Sequence, residues 1–337
     1  MSLEFELLAF IWAGLIAFAV LVYVILDGFD LGLGILFPFA RSEGDRDLMM
    51  NSVAPVWDGN ETWLVLGGGG LFAVFPLAYA IVMPALYMPI TLMLLALIFR
   101  GVSFEYRWRT KRWKRVWDWA FFGGSTLAAF CQGIALGALV QGIEVTERAY
   151  SGGWFDWLTP FSILAGFAVV VGYALLGATW LVLKTEGDIQ FQMRGYAWYL
   201  GAGTLALIAL VSIITPFLEP VYFHRWFNLP GSLWSMIVPI LMLGLAWSFF
   251  TGLNDGKDLR PFLSALGFFM VSFVGIGISF YPMMVPPNLT IWQVAAPEKS
   301  LAFALVGAAI LIPIILAYTA YAYWVFRGKM DPSKGYH

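Results

Sequence analysis

Leu7-Leu8-Ala9-Phe10-Ile11-Trp12-Ala13-Gly14-Leu15-Ile16-Ala17-Phe18-Ala19-Val20-Leu21-Val22-Tyr23-Val24-Ile25-Leu26 runs without a single charge. As a helix it covers about 30 Å, the depth of a bilayer's hydrocarbon core. Further charge-free intervals follow at residues 62–99, 119–143, 157–183, 195–218, 226–254, 261–297 and 301–326. The interval 62–99 would make a helix of about 57 Å. That is nearly twice the bilayer, so it must fold back, and Pro76 and Pro84 bracket the expected turn. In 261–297, Pro286-Pro287-Asn288 ends the helix and leaves an external loop. The expectation is an all-α integral membrane protein of nine transmembrane helices, one polytopic domain over residues 1–337.

Composition agrees. The chain is 61% hydrophobic, 18% aromatic and only 12% charged, about half the charge of a soluble domain. A soluble fold of this size has too little interior for so much apolar side chain, which excludes cytosolic enzymology, nucleic-acid binding and disorder. Glu4 and Glu6 stand where a signal peptide carries bases, so the first helix reads as retained. Cys131 is the single cysteine, and the histidines are His224, in a connection, and His337. A disulfide, a thiolate metal centre or a haem ligated within this chain is therefore not expected. The thirteen methionines read as packing.

Lysine and arginine set the orientation. With the N-terminus outside, the inner segments hold Arg41, Arg46, Arg100, Arg107, Arg109, Lys111, Arg112, Lys114, Arg115, Lys184, Arg194, Lys257, Arg260, Arg327, Lys329 and Lys334. The outer segments hold Arg148, Arg225 and Lys299. The C-terminus is then cytoplasmic. The basic run 107–115, interleaved with tryptophan, reads as a contact with the anionic inner leaflet.

Four acids occupy costly positions. Asp27 and Asp30 follow the first apolar run, and Asp58 and Glu61 open the second. Each pair is spaced by three and so shares a helix face. All four fall in the cytoplasmic half and can face one another across one helical hairpin. Acids at such depth usually face a protein interior and serve proton or ion transfer. The bland alternative makes Asp58 and Glu61 helix-start acids favoured by the dipole, with Asp27 and Asp30 bonding to backbone or to Arg41. Asp58, beside Asn60 and two tryptophans, is the leading functional candidate; for Glu61 the two readings stand level. Gly28, Gly32, Gly34 and the run 67–70 read as close helix contacts, Gln132, Gln141 and Cys131 as interhelical contacts, and 255–259 (Asp-Gly-Lys-Asp-Leu) as a chance echo of the first acidic motif.

Asp27-Gly-Phe-Asp-Leu-Gly, then Asn51-Ser-Val-Ala-Pro-Val-Trp-Asp-Gly-Asn-Glu-Thr-Trp-Leu64 and Phe99-Arg100-Gly-Val-Ser-Phe-Glu-Tyr-Arg107, closely resemble subunit II of cytochrome bd-type ubiquinol oxidases, and the resemblance covers the whole chain. The ending Lys334-Gly-Tyr-His337 is similar to the cyanide-insensitive branch. The resemblance implies two four-helix bundles plus one peripheral helix, in a bacterial inner-membrane oxidase that oxidises quinol and reduces dioxygen to water. It implies two haems b and haem d in an obligate partner, subunit I, with small single-helix subunits in some complexes. Protons would be taken from the cytoplasm and released outside, generating a proton motive force. In some family members a quinone sits in this subunit as a structural lipid. By position, Asp58 matches the acid of the cytoplasmic proton path and Trp63 the tryptophan of the oxygen route. Asp27, Asp30 and Glu61 are carried over as motif members without a settled role. The alternative is a proton-coupled secondary transporter, which intramembrane acids and glycine-rich helices suit equally well.

Overall fold

A computed structural model describes residues 2–110 and 112–330. Lys111, Lys334 and His337, used above for orientation and branch, lie outside the described residues. The chain forms α1 (Leu3–Leu36), α2 (Glu43–Asn51), α3 (Trp57–Val74), α4 (Pro76–Ala85), α5 (Tyr87–Arg109), α6 (Lys114–Gln141) and α7 (Pro160–Lys184). There follow α8 (Gly187–Ile214), α9 (Pro220–Phe227), α10 (Gly231–Ser235), α11 (Ile237–Asn254), α12 (Leu259–Phe280), α13 (Ile291–Val294) and α14 (Glu298–Val325). Two short antiparallel hairpins, 145–150 and 283–290, cap the far end of the helices.

Among the described residues eight helical segments are long and apolar enough to cross a membrane: those built on α1, α5, α6, α7, α8, α11, α12 and α14. α3 is not among them, because its first turn carries Asp58, Asn60 and Glu61. The interval 62–99 is not two helices but three. Pro76 and Pro84 sit beside the breaks at Phe75 and Leu86, and the ten-residue α4 is the turn itself. α12 ends at Phe280, ahead of the Pro286-Pro287 pair, because Tyr281 is extended ahead of Pro282.

α1 is the hub. It packs on α3, α6 and α7 and touches α12 and α14. Glycine permits the tightest contact: a Cβ on Gly32 would lie 1.9 Å from the Tyr173 carbonyl oxygen, and one on Gly34 2.0 Å from Ser125 Oγ. The close-packing reading therefore holds for Gly28, Gly32 and Gly34. It fails for Gly68 and Gly69, which face open space with Val65 and Phe72 on the exposed side of α3. α14 is nearly all exposed and apolar, tied down at its start by Trp12 Nε1 donating to the Leu301 carbonyl at 3.0 Å.

Candidate functional site

Asp27 lies some two and a half turns inside the C-terminal end of α1, Glu61 one turn into α3, and Arg100 two and a half turns before the end of α5. Packing of α1 on α3, with α5 alongside, gathers these side chains into one cluster. Arg100 is fully buried. Its Nη1 lies 2.9 Å from Asp27 Oδ1 and 2.5 Å from Glu61 Oε1, and its Nη2 lies 3.5 Å from Asp30 Oδ2. Asp27 and Asp30 are fully buried, while the Glu61 side chain is 28% exposed. Trp57 and Phe104, stacked at 4.7 Å, both lie within 6 Å of the guanidinium. Three carboxylates thus share one cation, two of them away from water. Such an arrangement is unfavourable as a structural device, since desolvation opposes each charge, and suits a site whose protonation changes.

Hydrogen bonds extend the cluster on two sides. Asn60 Nδ2 donates to Asp30 Oδ2 at 2.8 Å, and the Tyr323 hydroxyl, brought in by α14, donates to Asn60 Oδ1 at 3.0 Å. On the other side Tyr23, one turn before Asp27, brings its hydroxyl to the Asp27 carboxylate. Gln132 Nε2 donates to Tyr23 at 2.8 Å, and Tyr173 donates to Gln132 Oε1 at 2.7 Å. Gln132 is the interhelical contact expected from sequence, bridging α1 and α7; Gln141 likewise bonds Thr159.

Two expectations change. The partner of Asp27 and Asp30 is Arg100 on α5, not Arg41. Arg100 and Arg107 are not interface cations in a connection: α5 runs on to Arg109, so both are interior and fully buried. Arg107 bonds Asp47 and Asp118, each at 2.6 Å. Lys114 of the same basic run bonds Glu43, and that hydrogen bond and charge hold the Glu43 carboxyl below the usual carboxylate range. Asp58 stands apart from the cluster, exposed on α3 one turn before Glu61. Trp63 is fully buried against Ala19 and Tyr23, edge-on to Phe18 at 5.9 Å, and its indole N–H has no hydrogen-bond partner among the described residues. In the 255–259 echo, Asp258 bonds Arg194 and Lys329, each at 2.6 Å. Its segment is a tether between helix ends.

Residues 8–326 match the model of the cytochrome bd terminal oxidase subunit II family. The chain belongs to this family. It is 31% identical to the cytochrome bd-I ubiquinol oxidase subunit 2 of Escherichia coli K12, over 97% of this chain and 96% of the relative. It is 29% identical to the cytochrome bd ubiquinol oxidase subunit 2 of Bacillus subtilis 168, over 95% and 96%. Its fold is similar to that of a chain in the structure of bd oxidase from Geobacillus thermodenitrificans, with a TM-score of 0.73, covering 94% of this chain and 98% of that one at 17% identity. For a bd oxidase subunit II the haem question has a local answer. His224 is exposed and bonds Asn228 at 2.7 Å, so the described residues supply no buried imidazole. They also contain no group of three or more His, Cys, Asp or Glu able to hold a metal ion. These residues do not fit a haem site.

Proposed function

We propose that this chain is the proton-conducting, haem-free subunit of a quinol oxidase, with the Arg100 cluster as the proton-accepting station. The overall reaction oxidises two quinols to two quinones and reduces one dioxygen to two waters. Four electrons and four protons leave quinol, and four protons are consumed in forming water. Release on the outside and uptake from the cytoplasm generate a proton motive force. The haems, two b and one d, belong to the partner subunit I, which fits the lack of a buried imidazole among the described residues.

The observation that carries this reading is the convergence of Asp27, Asp30 and Glu61 on one buried guanidinium, with Glu61 alone open to the surface. Asp58, exposed one turn away, is its antechamber. It lies on the exposed face of α3, where a charged side chain would meet lipid only at a cost, so we assign that face to the partner subunit. Trp63, buried and apolar in its contacts, is assigned to the wall of the oxygen route.

In the membrane, α1, α3, α5, α6, α7, α8, α11, α12 and α14 make the nine crossings, with the N-terminus outside and the cluster end cytoplasmic in a bacterial inner membrane. They would form two groups, α1–α3–α5–α6 and α7–α8–α11–α12, joined through the packing of α7 on α1 and α6, with α14 peripheral. The test is Asp58→Asn in the complete complex. Quinol-dependent oxygen uptake is expected to fall at least tenfold, about 1.4 kcal/mol in barrier, with haem content unchanged. Loss of haem in proportion to activity would make Asp58 structural.

A further inference from the structure

The three carboxylates on Arg100 differ in whether their neighbours can accept a hydrogen bond. Asp30 meets only donors. Its Oδ2 receives Asn60 Nδ2 at 2.8 Å and lies 3.5 Å from Arg100 Nη2, while Oδ1 is buried with no hydrogen-bond partner. Turning the Asn60 carbonyl toward Asp30 would break both of its other contacts. Its Nδ2 also lies 3.4 Å from the Leu26 carbonyl, which only accepts, and its Oδ1 receives Tyr323. A protonated Asp30 would bury an O–H with nothing to receive it, a costly arrangement.

Asp27 is placed differently. Neither of its oxygens has a well-aligned hydrogen bond, so Arg100 at 2.9 Å holds it chiefly through charge, with the Tyr23 hydroxyl adjacent. Tyr23, Gln132 and Tyr173 can each donate and accept. Turning the Gln132 amide over reverses both of its bonds, frees the Tyr173 O–H from its acceptor, and lets the Tyr23 oxygen accept from a protonated Asp27. Glu61 touches the same Arg100 Nη1 as Asp27 and is open enough to pass its proton outward, with Asp58 beyond it on α3. Tyr23 on α1, Asp58 and Glu61 on α3, Arg100 on α5, Tyr173 on α7 and Tyr323 on α14 are the titratable and charged groups around the pair.

We propose that protons exchange between Glu61 and Asp27 across Arg100 Nη1, that Asp30 stays ionised as the fixed counter-ion, and that the Gln132 amide reverses with each transfer. A proton leaving the Glu61 oxygen arrives on an Asp27 oxygen, the negative charge moves the opposite way, and nothing is oxidised. This inference rests on the relay reading above.

Infrared titration of the whole complex tests it through the carbonyl band of protonated carboxyl groups. The band gained on acidification is expected to weaken in Asp27→Asn and in Glu61→Gln and to persist in Asp30→Asn. Gln132→Met is expected to shift the pH profile of oxygen uptake at unchanged haem content, which a purely packing role would not do. Loss of the band in Asp30→Asn, with retention in the other two, would overturn the inference while leaving a relay standing. Should Asp30→Asn fail to assemble, Tyr323→Phe reads the same side: the band is expected to stay as in the unmodified complex, and its loss would overturn the inference. Turnover and spectra unchanged in all three carboxyl variants would refute the relay itself.

Discussion

Arg100 and Arg107 sit two turns apart on α5, both fully buried, both bonded to carboxylates, and both beside aromatic rings. Around Arg107, Asp47 and Asp118 are 33% and 17% exposed, and Lys114 adds a second cation that bonds Glu43 and lies 3.4 Å from Asp47. Its acids can keep water and share two positive charges, so the group works as a staple joining α2, α5 and α6. Around Arg100, two of three acids are shut away and, among the described residues, no second cation bonds them. The same side chain on the same helix thus serves stability in one place and chemistry in the other. Access to water and the count of opposing charges make the difference.

The contrast is sharpest if each arginine is removed. Arg100→Leu strands Asp27 and Asp30 in the interior and is expected to cost about 3–5 kcal/mol, seen as a large fall in the melting temperature of the purified complex or a failure to assemble. Arg107→Leu leaves acids that can turn to solvent. It is expected to cost about 1–3 kcal/mol with oxygen uptake per haem unchanged. An equal loss of turnover in both variants would erase the distinction.

The smallest effect belongs to the outlying tether at Asp258. Partial desolvation works upward on its carboxyl, but the hydrogen bond and charge of Lys329, then Arg194, hold it below the ordinary range. A depressed carboxyl stabilises the fold above its unfolded value, about 3.9, and loses that contribution as pH falls through the folded value. Asp258→Asn is therefore expected to cost about 0–1 kcal/mol near neutral pH. Its melting temperature should begin to converge with that of the unmodified complex below about pH 4 and meet it only below the folded value. A gap that persists in acid would mean the tether acts by packing.

Much of this was legible in the sequence. Charge-free intervals located the spans, and paired acids at a spacing of three put Asp27, Asp30 and Glu61 within reach of one another. The central cation was not found, because Arg100 ends an apolar run and such a residue reads as an interface anchor. Only the length of α5, which continues to Arg109, turns it into an interior group. Tyr23, Tyr173 and Tyr323 escaped notice for another reason. Tyrosine in an apolar helix carries no local signal of what its hydroxyl meets, and three of the helices involved are distant in sequence. Asp58 shows the converse: its motif placed it with the other acids, but the helix turn that carries it points outward.

The most direct test of the central claim is oxygen uptake by the complete complex carrying Asp27→Asn or Glu61→Gln, with haem content read from reduced-minus-oxidised spectra of the same samples. A fall in turnover per haem of at least tenfold, about 1.4 kcal/mol, in both variants at normal haem content is the expected result. Unchanged turnover per haem in both would contradict it, and the Arg100 cluster would then be a staple like its neighbour.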